Sequence, residues 1–133
     1  MAAKFRVAPG SLVRVARSRI YEGQNGVFVR SNGASAGDRL TEYCGLRTRT
    51  KPEGAYVFKL TEKKFIDGHP RHHRPGDGIA SMCNTKGKTS AVFNCELVTN
   101  LVTGVVTLVA TRDIAPYQEC YCPYGVTYGR LSG

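Results

Sequence analysis

Residues 110–125 read Ala110-Thr111-Arg112-Asp113-Ile114-Ala115-Pro116-Tyr117-Gln118-Glu119-Cys120-Tyr121-Cys122-Pro123-Tyr124-Gly125. Taken alone, this is the end of a strand running into a Pro-Tyr-Gly turn. Just upstream, Val105-Val106-Thr107-Leu108-Val109-Ala110 is the strongest strand signal in the chain, because β-branched side chains fit a pleated surface. It predicts pairing with Ala91–Val98 across Thr103-Gly104. Working outward, further short β-type runs occur at Leu12–Ala16, Val27–Arg30, Leu40–Cys44 and Ala55–Leu60. Turn residues such as Ser31-Asn32-Gly33, Asp67-Gly68 and Pro75-Gly76-Asp77-Gly78 separate them. No segment keeps a helical period for long; Gly78–Asn84 reads as one short helix and Glu62–Gly78 as the least regular loop. The predicted class is mostly β, with small sheets and long loops.

The chain has 133 residues, 41% of them hydrophobic and 22% charged, which predicts one globular domain rather than disorder. Its apolar runs are too short for a membrane span, and Met1–Arg6 has no apolar signal core, so an intracellular protein is expected. Five cysteines, Cys44, Cys83, Cys95, Cys120 and Cys122, form no C-x-x-C pair and no even-numbered secreted framework; free thiols are expected. Cys120-x-Cys122 with His69, His72 and His73 fits no standard zinc spacing, and no metal is predicted. The net charge of +9 includes clusters at Arg47/Arg49/Lys51, Arg71/Arg74 and Lys86/Lys88. Such a balance suits either a polyanionic partner or a solvated basic surface.

With three upstream segments, the C-terminal stretch resembles the SET domain of protein-lysine methyltransferases. The likeness runs from about Leu12 to Gly125, within one domain spanning residues 1–133 and a short tail at 126–133. The C-terminal segment is similar to the family's "Ala-x-Arg-Asp-Ile-x-x-Gly-Glu-Glu-Leu-x-x-Asp-Tyr-Gly", which puts Tyr124 on the catalytic tyrosine. Gly23-Gln24-Asn25-Gly26-Val27-Phe28 resembles the cofactor-binding Gly-x-Gly turn, one residue longer. There a Cβ would block the backbone's approach to the cofactor. Asn25-Gly26 is equally the corner of an ordinary hairpin. Gly37–Gly45, ending Glu42-Tyr43-Cys44-Gly45, looks like the strand that leads a tyrosine toward the active site, although Tyr43 also suits plain core. Ile79-Ala80-Ser81-Met82-Cys83-Asn84 is similar to "Leu-Ala-Arg-Phe-Ile-Asn-His-Ser", with Ser81 in place of arginine and Thr85 in place of histidine. Asn84 falls on the asparagine that holds the cofactor's amino-acid end, and Asn94 on the motif's second asparagine; both also suit turns or caps.

The resemblance implies a β-clip-like fold of several small sheets with a C-terminal pseudoknot. It implies a methyltransferase using S-adenosyl-L-methionine, with Gly23, Asn25, Gly26, Phe28, Asn84, Thr85 and Tyr124 at the cofactor. Tyr43, Cys122 and Asn94 would line the substrate channel. Cys122 stands where a larger aromatic restricts the number of methyl groups, so di- or trimethylation is expected. The family's zinc site after Tyr-Gly has no counterpart in Val126–Gly133. A protein lysine, on a histone or nucleosome, is the expected substrate, with contact to nucleosomal DNA, a nuclear location and no membrane. Small stand-alone members suggest homodimerisation as an option. The departures at Gly23–Gly26, Ser81, Thr85 and Cys122 leave open an inactive SET-like module that binds chromatin or protein. The basic charge leaves open a small nucleic-acid-binding β domain.

Overall fold

The structure, a computed structural model, describes residues 11–85 and 92–123, and the backbone of 130–132. Among these residues, nine strands form three small sheets. They are β1 (Val13–Arg17), β2 (Asn25–Val29), β3 (Arg39–Glu42), β4 (Leu46–Thr48), β5 (Val57–Thr61), β6 (Lys64–Asp67), β7 (Cys95–Asn100), β8 (Val106–Ala110) and β9 (Arg130–Ser132). Strands β1 and β2 form a two-stranded sheet, β3-β8-β7-β9 a four-stranded one and β4-β6-β5 a three-stranded one.

The hairpin of β7 and β8 forms as its sequence dictates. Cys95 faces Ala110, Leu97 faces Leu108 and Thr99 faces Val106. Burial alternates residue by residue along both strands, the period of a sheet with one face on the core. Strand β7 begins at Cys95, later than the apolar run suggested, because Asn94 spends its amide on another segment. Strand β2 breaks the alternation: Gly26, Val27, Phe28 and Val29 are all buried. One edge pairs with β1, and the other receives the C-terminal stretch through Val29 N to Gln118 O (2.9 Å) and Cys120 N to Val27 O (2.7 Å).

That C-terminal stretch is the hub of the fold. On its far side Tyr121 forms a parallel bridge with Asn84, Cys122 N donates to Asn84 O at 3.0 Å, and Asn94 N donates to Tyr121 O at 3.0 Å. Residues 118–122 are thus inserted between β2 and the segments at Asn84 and Asn94, and the chain then returns as β9, parallel to β7. This is the pseudoknot of the expected β-clip-like fold. The core at the junction holds Val27, Val29, Ile79, Met82, Cys83, Cys95, Cys120 and Cys122.

Three local expectations are corrected. Asn25 and Gly26 lie inside β2 instead of at a hairpin corner; the turn closes earlier, with Gln24 N donating to Tyr21 O and Ser18 N to Gln24 O. The loop Glu62–Gly78 is interrupted by β6, which pairs on both edges, and by a 3-10 turn at Pro70–His72 capped by the His69 side chain. The helix expected at Gly78–Asn84 shrinks to a 3-10 turn at Ala80–Met82. Gly78 sits too close to the β3 backbone for any side chain: a Cβ there would lie 2.6 Å from Glu42 N.

Candidate cofactor site

Glu119 is the centre of the site, and it is 3% exposed. Its Oε1 accepts from Arg19 N at 2.8 Å and the Tyr121 hydroxyl at 3.0 Å. Its Oε2 accepts from Ser18 Oγ at 2.8 Å and Asn84 Nδ2 at 3.2 Å. Four donors compensate the desolvation that a buried carboxylate otherwise suffers. Burial, and next the adjacent carboxylate, push the Tyr121 phenol well above its usual range, so it stays a donor.

Asn84 is fixed by the same cluster. Its Nδ2 donates to Asn25 O (3.0 Å) and Glu119, while its Oδ1 accepts from Gln24 Nε2 at 2.7 Å. Both amide hydrogens are engaged, which leaves the second lone pair of Oδ1 for a ligand. Gly26 makes room for this arrangement. A Cβ at that position would collide with Glu119 Oε2 and come within 3.1 Å of Asn84 Nδ2. The glycine therefore admits the chain's own carboxylate, a purpose the sequence did not reveal. Gly23 has a positive φ of 77° and open space around it.

Asn94 splices the inserted segment in place. Its Oδ1 accepts from Tyr121 N at 2.8 Å and its Nδ2 donates to Glu119 O at 3.1 Å. Cys122 is fully buried with its thiol against that of Cys83, and Tyr43 is buried beside Phe58 with its hydroxyl on Tyr56 O at 2.7 Å. Both occupy core positions. Phe28 is buried in β2, with the Arg19 guanidinium 5.8 Å from its ring centroid. Tyr124, the expected catalytic tyrosine, lies outside the described residues. Ser81 is fully buried, donating to Gly68 O at 2.7 Å and meeting His73 Nε2 at 3.1 Å. A small hydroxyl suits that enclosed place, where an arginine would not fit.

Beside Asn84 lies a cavity of about 240 Å³ lined by Tyr21, Gln24, Ala55, Tyr56, Asn84 and Thr85. It joins the turn before β2 to the segment after the 3-10 turn at Ala80–Met82, two of the stretches assigned to the cofactor. Its aromatic walls suit a cation, and Asn84 Oδ1 suits an ammonium donor. The histidines are spent elsewhere: His72 pairs with Asp67 and His73 with Ser81. Among the described residues, no group of three or more metal-ligating side chains is arranged to hold an ion.

No protein-family model matches the sequence, and no curated protein matches it. Solved structures do. KRYPTONITE, a SET-domain histone methyltransferase crystallised with mCHH DNA, an H3(1-15) peptide and SAH, matches with a TM-score of 0.64 at 25% identity. The chain has the SET-domain fold. The match covers 85% of this chain and 23% of KRYPTONITE, so the SET-fold chain spans about a quarter of that protein's length. The methyltransferase domain of human PR domain-containing protein 2 shares the fold at a TM-score of 0.60 and 17% identity, over 86% of this chain and 78% of that domain. In this SET fold the residue at the centre of the buried hydrogen-bond cluster that sequence reasoning missed is Glu119. Its only sequence signal was its place in the C-terminal motif.

Proposed function

We propose that this SET-fold protein is a protein-lysine methyltransferase that uses S-adenosyl-L-methionine, acts on a histone within the nucleosome, and works in the nucleus. The observation that carries the reading is the cavity at Asn84, where Tyr21, Gln24, Tyr56 and Thr85 converge from distant parts of the chain. The residues fit the cofactor. Asn84 Oδ1 would accept from its ammonium, Gln24 has an amide hydrogen to spare for its carboxylate, and Tyr21 and Tyr56 offer ring faces to its positive charge.

When bound, the cofactor supplies a methyl group activated by its sulfonium. The protein's task is to orient the amine for in-line attack and to bring the lysine in uncharged. Orientation alone can contribute up to roughly 7–11 kcal/mol in well-organised sites. An apolar channel lowers the pKa of the incoming ammonium by desolvating it. Cys122 N is bonded to Asn84 O, which anchors the chain two residues before Tyr124 at the cofactor asparagine. By resemblance, the Tyr124 hydroxyl borders the transferring methyl. By resemblance, Cys122 at the position of a restricting aromatic implies di- or trimethylation.

The test is calorimetric titration with S-adenosylmethionine, followed by transfer of labelled methyl to an H3 peptide and to nucleosomes. Micromolar binding lost in Asn84→Ala, with activity lost in Tyr124→Phe and binding retained, is the expected result. Folded wild-type protein that binds no cofactor would instead indicate a non-catalytic SET module.

A further inference from the structure

On the other side of Glu119 lies a second cavity, of about 580 Å³, that shares no lining residue with the cofactor cavity. Arg19, Arg112 and Tyr117 stand on its walls. Tyr117 is the one non-glycine residue with positive φ among those described, at 66°. It occupies the third position of the turn Ala115-Pro116-Tyr117-Gln118, closed by Gln118 N to Ala115 O at 3.2 Å. Glycine or asparagine is the ordinary occupant of that position, and a bulky side chain is strained there. The strain is held in place: Tyr117 N donates to Val29 O at 3.0 Å, and Ala115 N donates to the Gln118 side chain at 3.0 Å. The residue is 54% exposed. A rigid turn thus holds an unburied aromatic ring at the rim of a cavity, against local preference.

Four charged residues line the cavity, Arg19 and Arg112 with Asp113 and Glu119, and they differ in how they are held. Asp113 is engaged by Ala36 N, and Glu119 by its four donors. Among the described residues, neither the Arg19 nor the Arg112 guanidinium has a carboxylate within salt-bridge distance. Arg19 is also stacked over Phe28 and so pre-positioned. An exposed aromatic ring beside two guanidinium groups that form no salt bridge among the described residues can take a stacked base and its flanking phosphates.

We propose that this cavity binds an unpaired stretch of nucleic acid, with a base stacked on Tyr117 and phosphates held by Arg19 and Arg112. This goes beyond the methyltransferase reading, and the proposed place is separate from the cofactor cavity. The charge of +9 supplies the long-range attraction.

The experiment measures fluorescence anisotropy of the full chain with a labelled oligothymidylate of about 12 nucleotides, a length in the range such sites cover. Salt is varied, and cofactor titrations run in parallel. Tyr117→Gly relieves the positive-φ strain, so the variant should melt no lower than wild type while its affinity for the strand falls roughly fivefold or more. Arg112→Glu should flatten the salt slope by about 0.7 for each phosphate that the protein no longer neutralises. Arg49→Glu, in a separate basic groove lined by Arg47, Arg49 and Lys64, is the control and should weaken binding less than either. Cofactor affinity should be unchanged in all three. Absence of binding at about 50 mM salt, where such contacts are strong, would overturn the proposal. So would equal affinity of wild type and Tyr117→Gly, or capture of a phosphotyrosine peptide in place of the strand. Loss of cofactor binding in wild type would sink the methyltransferase reading and leave this one standing.

Discussion

Glu119→Gln isolates the part played by the buried carboxylate, because the substitution conserves shape and changes only charge and one acceptor. The amide nitrogen must replace either Oε1 or Oε2. In the Oε1 position it faces Arg19 N, a backbone donor fixed at 2.8 Å; in the Oε2 position it faces Asn84 Nδ2 at 3.2 Å. The hydroxyls of Ser18 and Tyr121 can turn and accept, but neither N–H group can. Either rotamer therefore strands one buried donor, at about 1–3 kcal/mol, and the remaining bonds lose their charge assistance. A total of about 3 kcal/mol is expected, a fall in melting temperature on the order of 10 °C for a domain of this size. Urea unfolding should show a lower midpoint at unchanged m, the pattern of a pure stability change. Since Asn84 is aligned by the same oxygen, cofactor affinity should fall by about tenfold or more, the equivalent of roughly one missing hydrogen bond. Tyr121→Phe, which leaves the carboxylate three donors, should cost only about 1 kcal/mol. A Glu119→Gln variant within about 0.5 kcal/mol of wild type, the range of neutral surface changes, would refute the assignment of Glu119 as the organising group.

Asn94→Ala removes two buried bonds to the inserted segment and should cost about 2–4 kcal/mol, with faster hydrogen exchange at the Tyr121 amide as the local signature. Gly26→Ala drives a methyl group into Glu119 and should lower both the melting temperature and cofactor affinity; a variant that binds normally would contradict the close approach. Gly78→Ala presses on the β3 backbone and is expected to cost about 3 kcal/mol or more, read as loss of soluble folded protein or a large drop in melting temperature. Stability should decline as pH rises. Cys83 is pushed up by burial, Cys95 by its bond to Cys120 and by burial, and Tyr121 by burial and Glu119, so all three keep protons in the native state. The unfolded chain releases them near pH 8.5 for thiols and near 10 for tyrosine. The native state binds more protons above these values, so the decline begins at about pH 8.5 and grows beyond 10. Urea midpoints that stay level between pH 7 and 10.5 would contradict this.

Elements whose signal is local could be read from the residues before any coordinates. The β7–β8 hairpin was legible because its alternating apolar side chains and its Thr103-Gly104 turn lie within a few residues of one another. The mostly β class followed from such runs, and the SET fold from the order of four motifs. The short strands β4 and β9 carry too few residues to show a period, and they exist because distant partners pair with them. The site, by contrast, exists only in three dimensions. Glu119 meets Asn84 35 residues away, Arg19 100 away and Ser18 101 away, contacts that no local pattern encodes. Folding also makes Gly26 the shelter of a carboxylate, encloses Ser81 in the core, and holds Tyr117 out on a strained turn beside two arginines. Local propensity reads the covalent neighbourhood of a residue. The threading of residues 118–122 between β2 and Asn84 sets the rest, because it brings together in space donors and acceptors that the chain keeps far apart.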